Sequence, residues 1–301
     1  MNAIQTLLHE SIDYAGLFPP AGLDMGTAVE NYARYSAGPW AWALGRFIVS
    51  VNQLPELEYE LRRVSASRGR PWRGAALLGA DLETDVKLLH AFNRRHQDAG
   101  ILIDSVEVKA TSESEVGEII EAVPSRWQTY IEIPTAGDPR TLLRAVRSGG
   151  RRAKVRTGGI TPDAFPRTGD LLSFLRSAVE IAVPFKATAG LHHPLRATYR
   201  LTYAKDSPHG SMFGFLNLML AVAFMRAGLD DTEAARMLEE GDPEAIHANG
   251  AGIRWRSRRL ELADLSAARG QAMVSFGSCS FTEPIEDLEA LGLLAPGVPQ
   301  A

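Results

Sequence analysis

The chain has 301 residues, 45% hydrophobic and 23% charged, with a formal net charge of −4. That length and composition fit a soluble globular protein with one large α/β domain or two modest ones. The small negative charge argues against nucleic acid or an anionic membrane as partner, and a single cysteine, Cys279, excludes an internal disulfide framework and suits a cytoplasmic setting.

The N-terminal stretch "MNAIQTLLHESIDYAG" lacks the basic start and unbroken apolar core of a signal peptide. From there, short β-rich runs alternate with helical patterns. "IDYAGLF" (12–18) is a candidate first strand, followed by "RFIVSV" (46–51), "GAALLGA" (74–80), "SVEVKA" (105–110), "TYIEIP" (129–134), "AKVRTG" (153–158) and "PFKATAG" (184–190). Segments such as "SESEVGEIIEAVPSRW" and "PRTLLRAVRSGGRR" lie between them, with apolar residues at three- and four-residue spacing. Strand–loop–helix–loop units of this kind predict a parallel sheet with right-handed crossovers.

Beyond the seventh run, residues 191–271 exceed what one crossover needs. They include the longest apolar segment, "MFGFLNLMLAVAFM" (212–225), a second helical pattern at "DDTEAARMLEE", and the basic run "RWRSRR" (254–259). The apolar segment falls short of the roughly 20 residues a membrane span needs and reads as a buried helix. "RWRSRR" is short and isolated, and reads as a solvated or subunit-contact face. "AMVSFGS" (272–278) is the eighth strand, followed by the helix "EPIEDLEALGLL" and a frayed tail, "APGVPQA". The expected fold class is α/β: a (β/α)8 TIM barrel as a single domain over 1–301, with a helical insertion at 191–271 near the C-terminus. An open doubly wound sheet is the alternative, weakened by the absence of a GxGxxG after its first strand.

Strand side chains alternate between faces. Glu107 and Lys109 share a face in the fourth strand, Tyr130 and Glu132 in the fifth, Lys154 and Arg156 in the sixth, Lys186 and Thr188 in the seventh. The opposite faces are apolar and suit helix packing, so the charged faces should converge inside the barrel. Isolated buried charges cost several kcal/mol, so such a cluster needs mutual pairing, water or a ligand, and active sites of this fold sit at the strand C-termini. Four cations (Lys109, Lys154, Arg156, Lys186) against two carboxylates (Glu107, Glu132) suggest an anionic substrate.

Lysine titrates near pH 10.4 in water. Burial and a neighbouring cation disfavour its charged form, so Lys186 beside Lys154 would favour a free amine able to form a Schiff base with a carbonyl. Glu107 and Glu132 would carry protons.

These residues resemble the deoxyribose-phosphate aldolase type of class I aldolase over 100–190 and 272–294, with a weaker echo near Asp13. "KVRTGG" is similar to the family's Schiff-base lysine run at Lys154, Thr157 and Gly158. "FKATAG" resembles its second-lysine context at Phe185, Lys186 and Gly190. "SVEVK" and "YIEIPT" resemble its acidic strand motifs at Glu107 and Glu132. "SFGSCSF" is similar to its phosphate-binding turn at Phe276, Gly277, Ser278 and Ser280. The resemblance implies a lyase acting through Lys154, with Lys186, Glu107, Glu132 and Asp13 in support and no cofactor. Lys109, Arg156, Thr157, Thr188, Gly190, His192, His193, Gly277, Ser278, Cys279 and Ser280 would contact a small phosphorylated or carboxylated carbonyl substrate. A homo-oligomer fits too. The sequence departs from the family at Lys109, Arg156, "LHHPLR" after Gly190, and residues 191–271, which would form a lid.

Two other readings stand beside this one. His192, His193 and His209, with Glu132, would serve a metal-dependent lyase or hydrolase; or the barrel binds an anionic metabolite without turnover. Cys279 near a helix start has no histidine partner assignable from sequence.

Overall fold

A computed structural model describes residues 2–63 and 72–295; the tail reading at 295–301 lies, after Ala295, outside the described residues. Eight parallel strands close into a barrel: β1 (Ile12–Tyr14), β2 (Leu44–Ser50), β3 (Trp72–Leu77), β4 (Ile101–Lys109), β5 (Gln128–Glu132), β6 (Arg152–Arg156), β7 (Phe185–Thr188) and β8 (Met273–Ser278). Neighbours follow chain order, and β8 closes the ring between β7 and β1. This is the TIM-barrel architecture, and each expected strand is present. The expected runs extend past several strand ends because their last residues belong to the loops that carry the site.

The helix layer follows from the apolar face of each strand. Val106, Val108, Ile131, Ala153, Val155, Phe185, Ala187 and Phe276 alternate with the inward residues and are buried. The helices take conventional starts: Ser112 Oγ accepts the Glu115 amide at 3.2 Å at the head of Glu113–Ala122, and Asp81 caps Leu82–His96 through the Thr84 amide.

The interior is more polar than a hydrophobic barrel core. Toward the strand N-termini, Arg46 holds Asp104 in a two-pronged pair at 2.6 and 2.9 Å, and Arg73 joins Asp104 and Glu10, each at 3.0 Å. A register shift between β3 and β4 beside Asp104 re-aims that stretch of β4. This lower network is structural. It meets the cluster at the C-terminal end through the Arg46 amide, which binds Asp13.

Residues 191–271, expected as a helical insertion, hold more than helices. The hairpin Ala197–Arg200/His209–Met212 comes first, then helices Phe215–Arg226 and Asp231–Leu238. A three-stranded antiparallel sheet (Ile246–Ala248, Gly252–Trp255, Arg258–Glu261) and helix Leu262–Gln271 follow. Helix Phe215–Arg226 is buried from Phe215 to Met225, and the polar residue inside that stretch, Asn217, is hydrogen-bonded at both ends of its amide. Asn217 donates to the carbonyls of Met237 and Glu240 at 2.8 and 2.9 Å and accepts the Arg196 amide at 2.7 Å. Gly214 precedes the helix where a Cβ would lie 2.1 Å from the Pro194 carbonyl oxygen. No helix among the described residues is long and apolar enough to cross a membrane. The basic run at 254–259 lies on two strands of the small sheet. Arg256 pairs with Glu240, Arg258 with Glu233 and Arg259 with Glu261, while Trp255 is buried.

Candidate active site

The C-terminal mouth of the barrel holds a cavity of about 290 Å³. Two lysines sit at its base. Lys154 on β6 and Lys186 on β7 are register partners, so their side chains leave the sheet at the same height on the same face. Glu107, from β4, bridges them: Lys154 Nζ lies 2.7 Å from its Oε2, and Lys186 Nζ 2.6 Å from its Oε1. Glu132, the register partner of Lys154 on β5, flanks Lys154 at 2.8 Å. That contact is close, yet it meets Glu132 Oε2 off the hydrogen-bond direction, and among the described residues this buried oxygen has no aligned donor. Asp13 on β1 takes Lys186 at 2.5 Å and is itself fixed by the Ser275 hydroxyl at 2.9 Å and the Arg46 amide at 2.8 Å.

The sequence argument sets two bare amines side by side. The geometry instead places a carboxylate between them. Lys186 is 1% exposed. Burial opposes its charge, but Asp13 and Glu107 more than offset this and hold it protonated well above the usual lysine range. Its Nζ also lies 5.4 Å from the centre of the Tyr130 ring. Burial likewise opposes ionisation of Glu107, yet the two ammonium groups pull its pKa down to about 2. The cluster is thus a persistent chain, Asp13–Lys186–Glu107–Lys154–Glu132.

The expected excess of cations is corrected here. Lys109 lies at the strand end with its side chain 78% exposed and 3.9 Å from Glu132, outside the cavity lining. Asp13 joins instead, so the core has three carboxyl groups against two amines. The positive group left at the mouth is Arg156, exposed, lining the cavity and without a carboxylate partner among the described residues.

Other expected contacts divide. Thr188, Gly190, His192, Gly277 and Cys279 line the cavity. The Thr188 hydroxyl is buried with no hydrogen-bond partner among the described residues, as a ligand-facing group would be. Gly190 has φ +71°, and a Cβ there would lie 2.8 Å from the Phe165 ring, so it serves the turn. Ala189 beside it also has positive φ, +69°, a conformation disfavoured for a side chain with a Cβ. Thr157 is fully buried and spends its hydroxyl on the Ala189 carbonyl at 2.7 Å; it ties β6 to the turn after β7 and does not face a substrate.

In the turn after β8 the serine hydroxyls are used locally. Ser278 Oγ accepts the Ser280 amide, and Ser280 Oγ accepts the Glu283 amide. Neither serine lines the cavity, and the following helix carries the Glu283 carboxylate in its first turn. These hydroxyls are engaged within the turn, whereas Arg156 and Thr188 line the cavity.

His193 is turned to the last helix, 2.6 Å from Asp287 and stacked on Tyr199. His209 is exposed on the hairpin, and Glu132 is engaged by Lys154. Among the described residues, no group of three or more His, Cys, Asp or Glu side chains is arranged to hold a metal ion, so the three histidines and Glu132 do not form one ligand set.

Sequence reasoning missed Ser275 and Glu283, and placed Tyr130 on the inward face without giving it a role. Ser275 and Gly277 share the inward parity of β8, so strand alternation alone points to Ser275. Glu283 reaches the site from a helix, and no periodicity in the strands marks it. Comparison with protein-family models, curated proteins and solved structures finds no match.

Proposed function

We propose that the chain is a lyase of the class I aldolase type, which forms a Schiff base between Lys154 and a small carbonyl compound bearing a carboxylate or phosphate. The observation that carries the reading is Lys154 at the base of the mouth cavity, 2.7 Å from Glu107 and 2.8 Å from Glu132.

Imine formation requires Lys154 to give up a proton and its nitrogen to attack the carbonyl carbon. The carboxylate oxygens beside it are within reach of that proton. The carbonyl π electrons move to oxygen, which leaves as water after two protonations. The iminium then accepts the electron pair of the adjacent carbon–carbon bond as that bond breaks, while a carboxylate takes the proton of the departing hydroxyl. Lys186 acts here as a positioning residue: its fixed positive charge orders Glu107 and balances it. Arg156 supplies an anion contact at the mouth. On this reading residues 191–271 are an insertion whose first turn brings His192 to the cavity.

The test is solvent exchange. Pyruvate and acetaldehyde in D2O are followed by proton NMR with the intact chain and with Lys154→Arg, which keeps a cation in place. The reading predicts enzyme-dependent loss of the α-proton signal from at least one compound, abolished by the substitution. Exchange that continues at the same rate in Lys154→Arg contradicts it.

A further inference from the structure

The cavity holds a second group with covalent chemistry. Cys279, the chain's single cysteine, follows β8, is 6% exposed, and lines the same cavity as Lys154. Its Sγ lies 3.8 Å from both Nδ1 and Nε2 of His192 and 3.7 Å from the Tyr203 hydroxyl. Glu283 Oε2 binds His192 Nδ1 at 3.0 Å and accepts the Tyr203 hydroxyl at 2.9 Å. Four polar groups from three parts of the chain thus converge: the turn after β7, the Ala197–Met212 hairpin region, and the start of the last helix. Glu283 engages Nδ1, so Nε2 is the position left to take up and return a proton.

We propose that Cys279, with His192 as its proton carrier and Glu283 and Tyr203 orienting the imidazole, is a second covalent nucleophile of this cavity, one that captures a small aldehyde reversibly as a thiohemiacetal. In the step, the sulfur–carbon bond forms as the carbonyl π bond opens onto oxygen. The protonated His192 gives its Nε2 proton to that oxygen and takes up the thiol proton in its place, so no other reactant is needed. The inference rests on reading the cavity as a carbonyl site. It goes beyond that reading by naming where the second partner of a carbon–carbon cleavage resides: one fragment stays on Lys154, and the other leaves as a free aldehyde beside Cys279. The electrostatics agree with the geometry. Burial opposes a charged His192, but its bonds to Cys279 and Glu283 prevail and raise its pKa to about 9. A cation next to a sulfur is the setting in which thiols become nucleophiles.

The experiment is alkylation of the full chain by iodoacetamide at pH 7, read on the Cys279 peptide by mass spectrometry, with and without glycolaldehyde. It is run on the intact chain and on Lys154→Arg, where no lysine imine at this position can shield the sulfur. Cys279 should react at least about tenfold faster in the folded than in the urea-unfolded chain. Glycolaldehyde should slow it severalfold in both proteins, and His192→Asn should remove the rate advantage while near-UV circular dichroism shows the fold retained. If that variant unfolds, Glu283→Gln should reduce the rate in the same direction. A folded-state rate no higher than the unfolded one, or no slowing by glycolaldehyde in Lys154→Arg, overturns the inference. Borohydride reduction with glycolaldehyde, read on the Lys154 peptide, separates the two claims: a lysine adduct beside an unreactive Cys279 removes the thiol's role alone, and a protected, reactive Cys279 with no lysine adduct removes Lys154's.

Discussion

Lys154 and Lys186 are register partners on adjacent strands, yet a single carboxylate, Glu107, binds both of their ammonium groups. This bridge decides how the barrel tolerates two buried lysines. Each charge has a counter-charge within 2.8 Å, and the chain of pairs ends on Asp13 at one side and Glu132 at the other.

Breaking the bridge should be costly, because removing one partner leaves the others buried and uncompensated. Glu107→Gln is expected to lose about 3–5 kcal/mol of unfolding free energy in a urea titration. Lys186→Met should be similarly damaging alone. Combined with Asp13→Asn it should lose less than the sum of the two, by on the order of 1–3 kcal/mol, since the second change removes the carboxylate that the first leaves stranded. Additive losses would mean that Asp13 and Lys186 are not coupled.

Acid should unfold the barrel through Glu107. Its folded pKa, about 2, lies below the ordinary 4.5. The unfolded chain therefore binds more protons in this range, and the stabilisation present above pH 4.5 is lost as pH falls toward 2. The urea midpoint of the intact chain should drop across this window, and Glu107→Gln should show a shallower drop. Equal slopes would remove Glu107 from the account.

His192 works in the opposite sense. Its folded pKa, about 9, lies above the ordinary 6.5. Its contribution is complete below pH 6.5 and disappears as pH rises through 9, about 3 kcal/mol in all for a shift of this size. Melting temperature should fall from pH 6.5 to 9 more steeply in the intact chain than in His192→Asn.

Much of this was open to a reader of the sequence. The eight strands could be located because their outward faces are apolar at period two, and the same alternation brings Glu107, Glu132, Lys154 and Lys186 to the interior. Lys109 shows where parity fails: it has the right face, but it sits at the last residue of β4, where the strand runs out into solvent. The hydroxyls of Thr157, Ser278 and Ser280 show a different limit. A motif match does not say whether a hydroxyl is already used by the backbone, and in these turns it is. His192 finds Cys279 across most of the length of the last crossover, a pairing set by barrel closure and invisible to spacing.

Anion preference should rest on Arg156. Arg156→Met is expected to raise KM for a carboxylated or phosphorylated carbonyl substrate about tenfold to a hundredfold, the loss of one charge-assisted contact, with little change for a neutral aldehyde. Steady-state kinetics on the paired substrates measures this, and equal effects on both would assign the guanidinium a structural role.

The central claim is that Lys154 forms the covalent bond with substrate. Sodium borohydride reduction in the presence of pyruvate, glycolaldehyde or a sugar phosphate, followed by peptide mass mapping, tests it most directly. The account predicts a reduced adduct on the peptide containing Lys154, absent from Lys154→Arg and not replaced by an adduct on Lys186. An adduct on Lys186, on an exposed lysine such as Lys109, or on none contradicts it.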